Sequence, residues 1–169
     1  NPVLPFGFSA DQKEMVVSDE DVCNLSNIVI NKKGIKINPS LPFALFPLDF
    51  IYEHYDEKLC DFLGILSLLP DGNISICGAG YYHKSIVLGN ILEIKSYKEF
   101  WECNPFLLKI RKSIPEELTG ICQSCVFIKP CLGYCRAWVY SLSNSFTDPY
   151  PTCKYLHENN RFPEIYQWR

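Results

Sequence analysis

The chain has 169 residues, 47 % of them hydrophobic and 21 % charged; this is the profile of one folded domain with an apolar core, not of a disordered segment. Sixteen Lys and Arg against nineteen Asp and Glu leave a formal charge of −3, which supplies no general pull toward nucleic acid or an anionic membrane. The longest apolar run, Phe62 to Leu69, has eight residues where a membrane-spanning helix needs about 20.

No basic, apolar leader opens the chain, so a cytoplasmic protein is expected; the absence of an initiating Met suggests a piece of something longer. Residues 1–13 read as an extended loop. Ser18 with Asp21 reads as a helix cap, after which Val22, Leu25 and Val29 share one face and Gly34 is a natural stop. Ile35 and Ile37 alternate with polar neighbours as in a short strand. Pro42 and Pro47 among aromatics predict irregular, partly buried chain from Pro39 to Lys58.

A hairpin follows, with strands Gly64–Leu69 and Ile74–Cys77 around the turn Pro70-Asp71-Gly72-Asn73. Gly72 supplies the positive φ such a turn needs. Ser96 with Glu99 predicts a short helix through Trp101. Asn104-Pro105 is a fresh cap with proline at the first helical position, and Leu107, Ile110 and Ile114 form its stripe. From Gly120 a cysteine-rich loop is predicted, then a helix from Arg136 to Leu142. Pro149 and Pro151 are expected to break the chain before Cys153.

Cysteine is the anomaly. There are nine, and an odd number cannot pair completely within the chain. Seven of them fit one string: Cys60-x11-Gly72-x4-Cys77, a gap, Cys122-x2-Cys125-x5-Cys131-x3-Cys135, a gap of 17, and Cys153. Cys23 and Cys103 fall outside it, on predicted helices, and read as ordinary thiols. Two cysteines two residues apart can place both sulfurs on one metal or on adjacent irons of one cluster. Gly133 lets the backbone turn close to a ligand. Disulfides would need an oxidising compartment. Spacing alone leaves structural zinc and iron–sulfur both open.

The seven-cysteine string resembles that of the SPASM domain, the auxiliary-cluster domain that follows the core of many radical S-adenosylmethionine enzymes. The surroundings fit too: "ILSLLPDGNISIC" ending at Cys77, "LGNI" from Leu88 to Ile91, the helix around Phe100 and Trp101, and "GYCRA" around Cys135. The resemblance covers about residues 58–155. It implies an α+β fold, a β-hairpin with flanking helices and cysteine-rich loops around two metal-cluster sites. It also implies two [4Fe–4S] clusters, one held by Cys60, Cys77 and Cys135, the other by Cys122, Cys125, Cys131 and Cys153. Some family members add an eighth cysteine where Leu66 and its neighbours stand here, so the first cluster is left with three cysteines.

By the same resemblance, residues 1–57 would be a remnant of the radical core and a linker, and 58–169 the auxiliary-cluster domain. The Cys-x3-Cys-x2-Cys of the radical core is absent, because Trp138 stands where the third cysteine would follow Cys131 and Cys135. The chain alone is therefore expected not to cleave S-adenosylmethionine; that cofactor would belong to a core domain of the same full-length polypeptide. The implied role is electron transfer or substrate binding in an oxidoreductase that modifies a peptide or protein. A non-catalytic zinc or interaction module is the alternative, and zinc can also fill vacated thiolate sites in aerobic preparations.

Other residues carry less. His54, His83 and His157 are scattered. Gly78-Ala79-Gly80 lacks a phosphate-binding fingerprint. Asp56-Glu57 and Glu116-Glu117 read as solvated faces. Arg136, next to Cys135, could offset cluster charge, contact substrate or form an ordinary salt bridge.

Overall fold

The caps read from sequence start the helices they were expected to start. In the computed structural model, which describes residues 17–31, 41–55 and 60–168, the Ser18 hydroxyl accepts from the Asp21 amide at 3.1 Å and opens α1 (Asp19–Asn31). Ser96 accepts from the Glu99 amide at the head of α3 (Tyr97–Cys103). The Asn104 side chain accepts from the amides of Phe106 and Leu107 at the head of α4 (Pro105–Ser113). Leu107, Ile110 and Ile114 are all buried, as their stripe requires. On α1 the expected face is only partly realised: Val22 is buried but Leu25 is exposed.

Prolines correct the sequence reading twice. Between residues 39 and 58 the described chain is not irregular. Pro42 precedes a buried 3-10 turn, Phe43–Leu45, and Pro47 precedes α2 (Leu48–His54). Pro151 does not break the chain either; it occupies the first turn of α8 (Pro151–Glu158), which carries Cys153. The physical reason is the same: a fixed φ and a missing N–H cost nothing at a helix start. The predicted loop 1–13, the Gly34 stop, the Ile35–Ile37 strand, Asp56-Glu57 and the proposed boundary at residue 57 lie outside the described residues.

The hairpin forms with shorter strands than expected. Strand β1 (Ser67–Leu68) pairs antiparallel with β2 (Asn73–Ser75), Ser67 opposite Ser75, and Gly72 at φ 79° makes the turn. A third strand, β3 (Val87–Asn90), adds to β2 and completes a sheet of order β1-β2-β3. No strand was predicted there. On β2, the polar Ser75 is fully buried and donates to the Ile86 carbonyl, just before β3, at 2.9 Å.

The expected cysteine loop is instead a series of short helices. These are α5 (Ile121–Ser124) and α6 (Ile128–Cys131); the helix expected from Arg136 to Leu142 forms as α7 (Arg136–Ser143) and is followed by α8. The mix of helices and one small antiparallel sheet is compatible with the α+β expectation. Buried side chains form two clusters. One gathers α1, α2, α8 and the C-terminal aromatics Phe162 and Tyr166. The other gathers Ile76 and Ile86 from the sheet region with Leu107, Ile110, Ile114 and Leu118. Cys135 packs against both.

Candidate metal centre

The seven patterned cysteines lie along the seam of these two cores: Cys125, Cys131 and Cys153 pack in the first, Cys122, Cys60 and Cys77 in the second, and Cys135 against both. Cys122, Cys125, Cys131 and Cys153 line one small cavity of about 20 Å³. Its other walls are apolar, among them Pro42, Ala44, Phe127 and Phe162. Cys153 lies within charge–charge reach of Cys131, Cys122 and Cys125. Cys135 lies within such reach of Cys60 and Cys77. Four thiols thus share one cavity wall, the other three lie within charge–charge reach of one another, and none of the seven is in a disulfide. Cys23 and Cys103 sit on α1 and α3, and neither lines the cavity.

Local backbone explains how a four-residue step can serve two places. Leu132, Gly133 and Tyr134, between Cys131 and Cys135, all have positive φ, at 51°, 71° and 60°. Left-handed residues reverse the chain abruptly, and for Leu and Tyr they are uncommon. Cys131 closes α6 on the cavity side, and Cys135 caps α7 toward Cys60 and Cys77. The C-terminal segment braces the Cys125 side. Cys125 bridges Gln167, the Tyr166 carbonyl accepts from the Val126 amide, and the Tyr166 hydroxyl donates to the Phe46 carbonyl at 2.8 Å.

Backbone amides point at the sulfurs. Cys60, Cys77 and Cys125 each receive one from the residue two positions on, namely Phe62, Ala79 and Phe127. Cys135 receives that of Trp138, Cys131 that of Phe43, and Cys122 that of Tyr150. Such bonds favour thiolate, but burial opposes them more strongly. Burial pushes Cys125 and Cys135 up to about 11 and Cys131 to about 12, and raises Cys153 well above the usual thiol range. Without a cation to share, these thiols hold their protons at neutral pH. A metal must displace them to bind.

Arg136 is the residue the sequence underrated. Its side chain is fully buried. It donates to the carbonyls of Phe146 at 3.0 Å and Asp148 at 2.6 Å, and to that of Gly133. Nε has no hydrogen-bond partner among the described residues, and no carboxylate there pairs with the guanidinium. The cation lies within charge–charge reach of Cys122, Cys131 and Cys153 of one set and of Cys135 and Cys60 of the other. Its position next to Cys135 was visible in sequence; its burial was not, because charged residues are seldom fully buried.

Among the described residues no group of three or more His, Cys, Asp or Glu side chains is placed to hold a lone metal ion. Four sulfurs on one zinc at about 2.3 Å would stand only about 4 Å apart. A cubane instead carries each thiolate on a separate iron, and soft thiolates around an apolar cavity with amides aimed at sulfur suit it. The residues present therefore fit an iron–sulfur cluster. No helix of the described chain is long and apolar enough to cross a membrane.

Over 84 residues, half of this chain, the sequence is 34 % identical to an AdoMet-dependent heme synthase of Methanosarcina barkeri, and the match spans 22 % of that protein. The likeness relates this part of the chain to a radical S-adenosylmethionine protein. No family model matches the chain. No solved structure matches it.

Proposed function

We propose that this chain is an auxiliary-cluster domain of a radical S-adenosylmethionine enzyme and binds two [4Fe–4S] clusters. One is held by Cys122, Cys125, Cys131 and Cys153, the other by Cys60, Cys77 and Cys135. The observation that carries the reading is the division of seven thiols into two sets, with Cys135 grouped away from its loop neighbours Cys125 and Cys131. A structural zinc module has no need of that crossing. When bound, such clusters supply one-electron transfer, or an open iron to which substrate can bind. The chain's own residues exclude water with apolar walls and direct amides at the sulfurs.

The sequence resemblance favours a peptide or protein as the substrate, acting with a radical core domain elsewhere in the polypeptide. A tetrapyrrole is the second reading, favoured by the name of the relative. Incubating the full-length protein anaerobically with S-adenosylmethionine and each substrate class separates the two, since only the true substrate is consumed.

Iron and sulfide assay of the anaerobically purified full-length protein tests the cluster reading. Changing Cys125 and Cys131 together to Ala should remove about four irons, and changing Cys60 and Cys77 together should remove about four others, with broad charge-transfer absorbance lost in step. Zinc in place of iron, in a colourless anaerobic sample, would sink the reading in favour of a structural module.

A further inference from the structure

We infer that Arg136 is a shared countercharge wedged between the two thiol sets, positioned to raise the reduction potential of both clusters at once. The inference rests on the two-cluster reading above and adds a residue role to it. A buried guanidinium ordinarily pairs with a carboxylate, because an uncompensated charge inside a protein is expensive. Here the three acceptors are carbonyls, those of Gly133, Phe146 and Asp148. Carbonyl dipoles orient the fork but do not neutralise it. One nitrogen, Nε, is left over with the side chain fully buried.

Sulfurs that can become anionic flank it on two sides. Cys122, Cys131 and Cys153 lie on one side, and Cys135 and Cys60 on the other. As protonated thiols they offer the cation nothing. As thiolates on clusters they supply the missing negative charge. The position is fixed from three directions. Arg136 begins α7 directly after Cys135, its fork bonds the loop at 146–148, and its guanidinium lies against Gly133. A Cβ at Gly133 would come within 2.6 Å of the Arg136 Cζ, so the glycine makes room for the cation as well as for the turn.

Reduction adds one negative charge to a cluster, and a fixed cation nearby stabilises the reduced form. Because Arg136 reaches both sets, its removal should act on two couples together, which a residue serving only local folding would not do.

The test is an EPR-monitored dithionite titration of the anaerobic full-length protein, following the two couples that disappear in the cysteine variants. In Arg136→Gln the ratio of reduced to oxidised cluster at a given potential should fall about tenfold for both couples, a downward shift of 59 mV for a one-electron couple. Arg136→Lys, which keeps the charge, should restore most of that shift. If Arg136→Gln cannot be isolated with clusters, ¹⁵N-arginine ENDOR on the reduced wild type decides. Nitrogen coupling at both couples, lost in Arg136→Lys, is expected. Unchanged potentials in Arg136→Gln, a shift in one couple only, or no arginine coupling overturns the inference and leaves the two-cluster reading standing. A wild-type protein without cubane clusters overturns both.

Discussion

The two thiol regions are built to different standards of enclosure. In the four-thiol region Cys122, Cys125 and Cys153 are buried around a cavity, with Cys131 half-buried, and the C-terminal segment is tied across its edge. In the three-thiol region Cys60, Cys77 and Cys135 are all half-buried, and the supporting sheet has strands of two to four residues. The same soft ligand chemistry is thus offered in a closed setting and in a more open one. Solvent exposure is one of the levers that set cluster potential and lability. On the proposed two-cluster reading, the difference suits one site to holding its cluster securely and the other to exchange with something outside.

That contrast can be broken or sharpened by experiment, and metal removal should have the largest effect. An anaerobic chelator should strip iron from the Cys60, Cys77 and Cys135 site first, read as an early loss of about four irons. Simultaneous loss from both sites would erase the distinction. Next comes Leu118→Ala, in the core beneath the three-thiol region, where Leu118 is fully buried. It should cost about 2–5 kcal/mol in urea unfolding. Tyr166→Phe removes the buried bond to the Phe46 carbonyl and should cost about 1–3 kcal/mol, with hydrogen exchange rising at Val126 and neighbouring amides before it rises in the sheet. Asn104→Ala removes the α4 cap at a cost of about 1 kcal/mol and should leave the four-thiol region undisturbed in the same exchange experiment.

A pH dependence separates the loaded protein from the metal-free one. In the metal-free chain burial raises Cys125 and Cys135 from 9.0 to about 11 and Cys131 to about 12. The folded chain then holds protons that the unfolded chain releases above pH 9, so stability falls as pH rises through that window toward 11–12. Urea midpoints of the metal-free protein should decline from pH 9 to 11. The loaded protein, whose ligand thiols have already lost their protons, should show a weaker decline.

Local signals in the sequence carried well where one residue settles the matter. Ser96 and Asn104 cap because their side chains reach amides two or three residues on, and nothing distant alters that. The prolines at 47 and 151 misled because a residue that stops one helix also suits the start of the next. Strand β3 was illegible because its four residues include Gly89 and form a strand only by pairing with β2. At the candidate site the cysteine string was plain in sequence, whereas which thiols share a cavity wall is read from the fold. The burial of Arg136 was not plain, since it depends on the carbonyls of residues 146 and 148 arriving ten and twelve positions later.

The left-handed run at Leu132, Gly133 and Tyr134 has a consequence for natural variation. Three residues there form a partition wall, and each contributes a fixed rotation to the direction of the next thiol. Adding or deleting one would swing Cys135 away from Cys60 and Cys77, whereas the largely exposed stretch 92–99, which supplies no thiol and no amide to one, can change length without redirecting any ligand. Indels among descendants of this sequence should therefore be tolerated in that stretch and spare the wall.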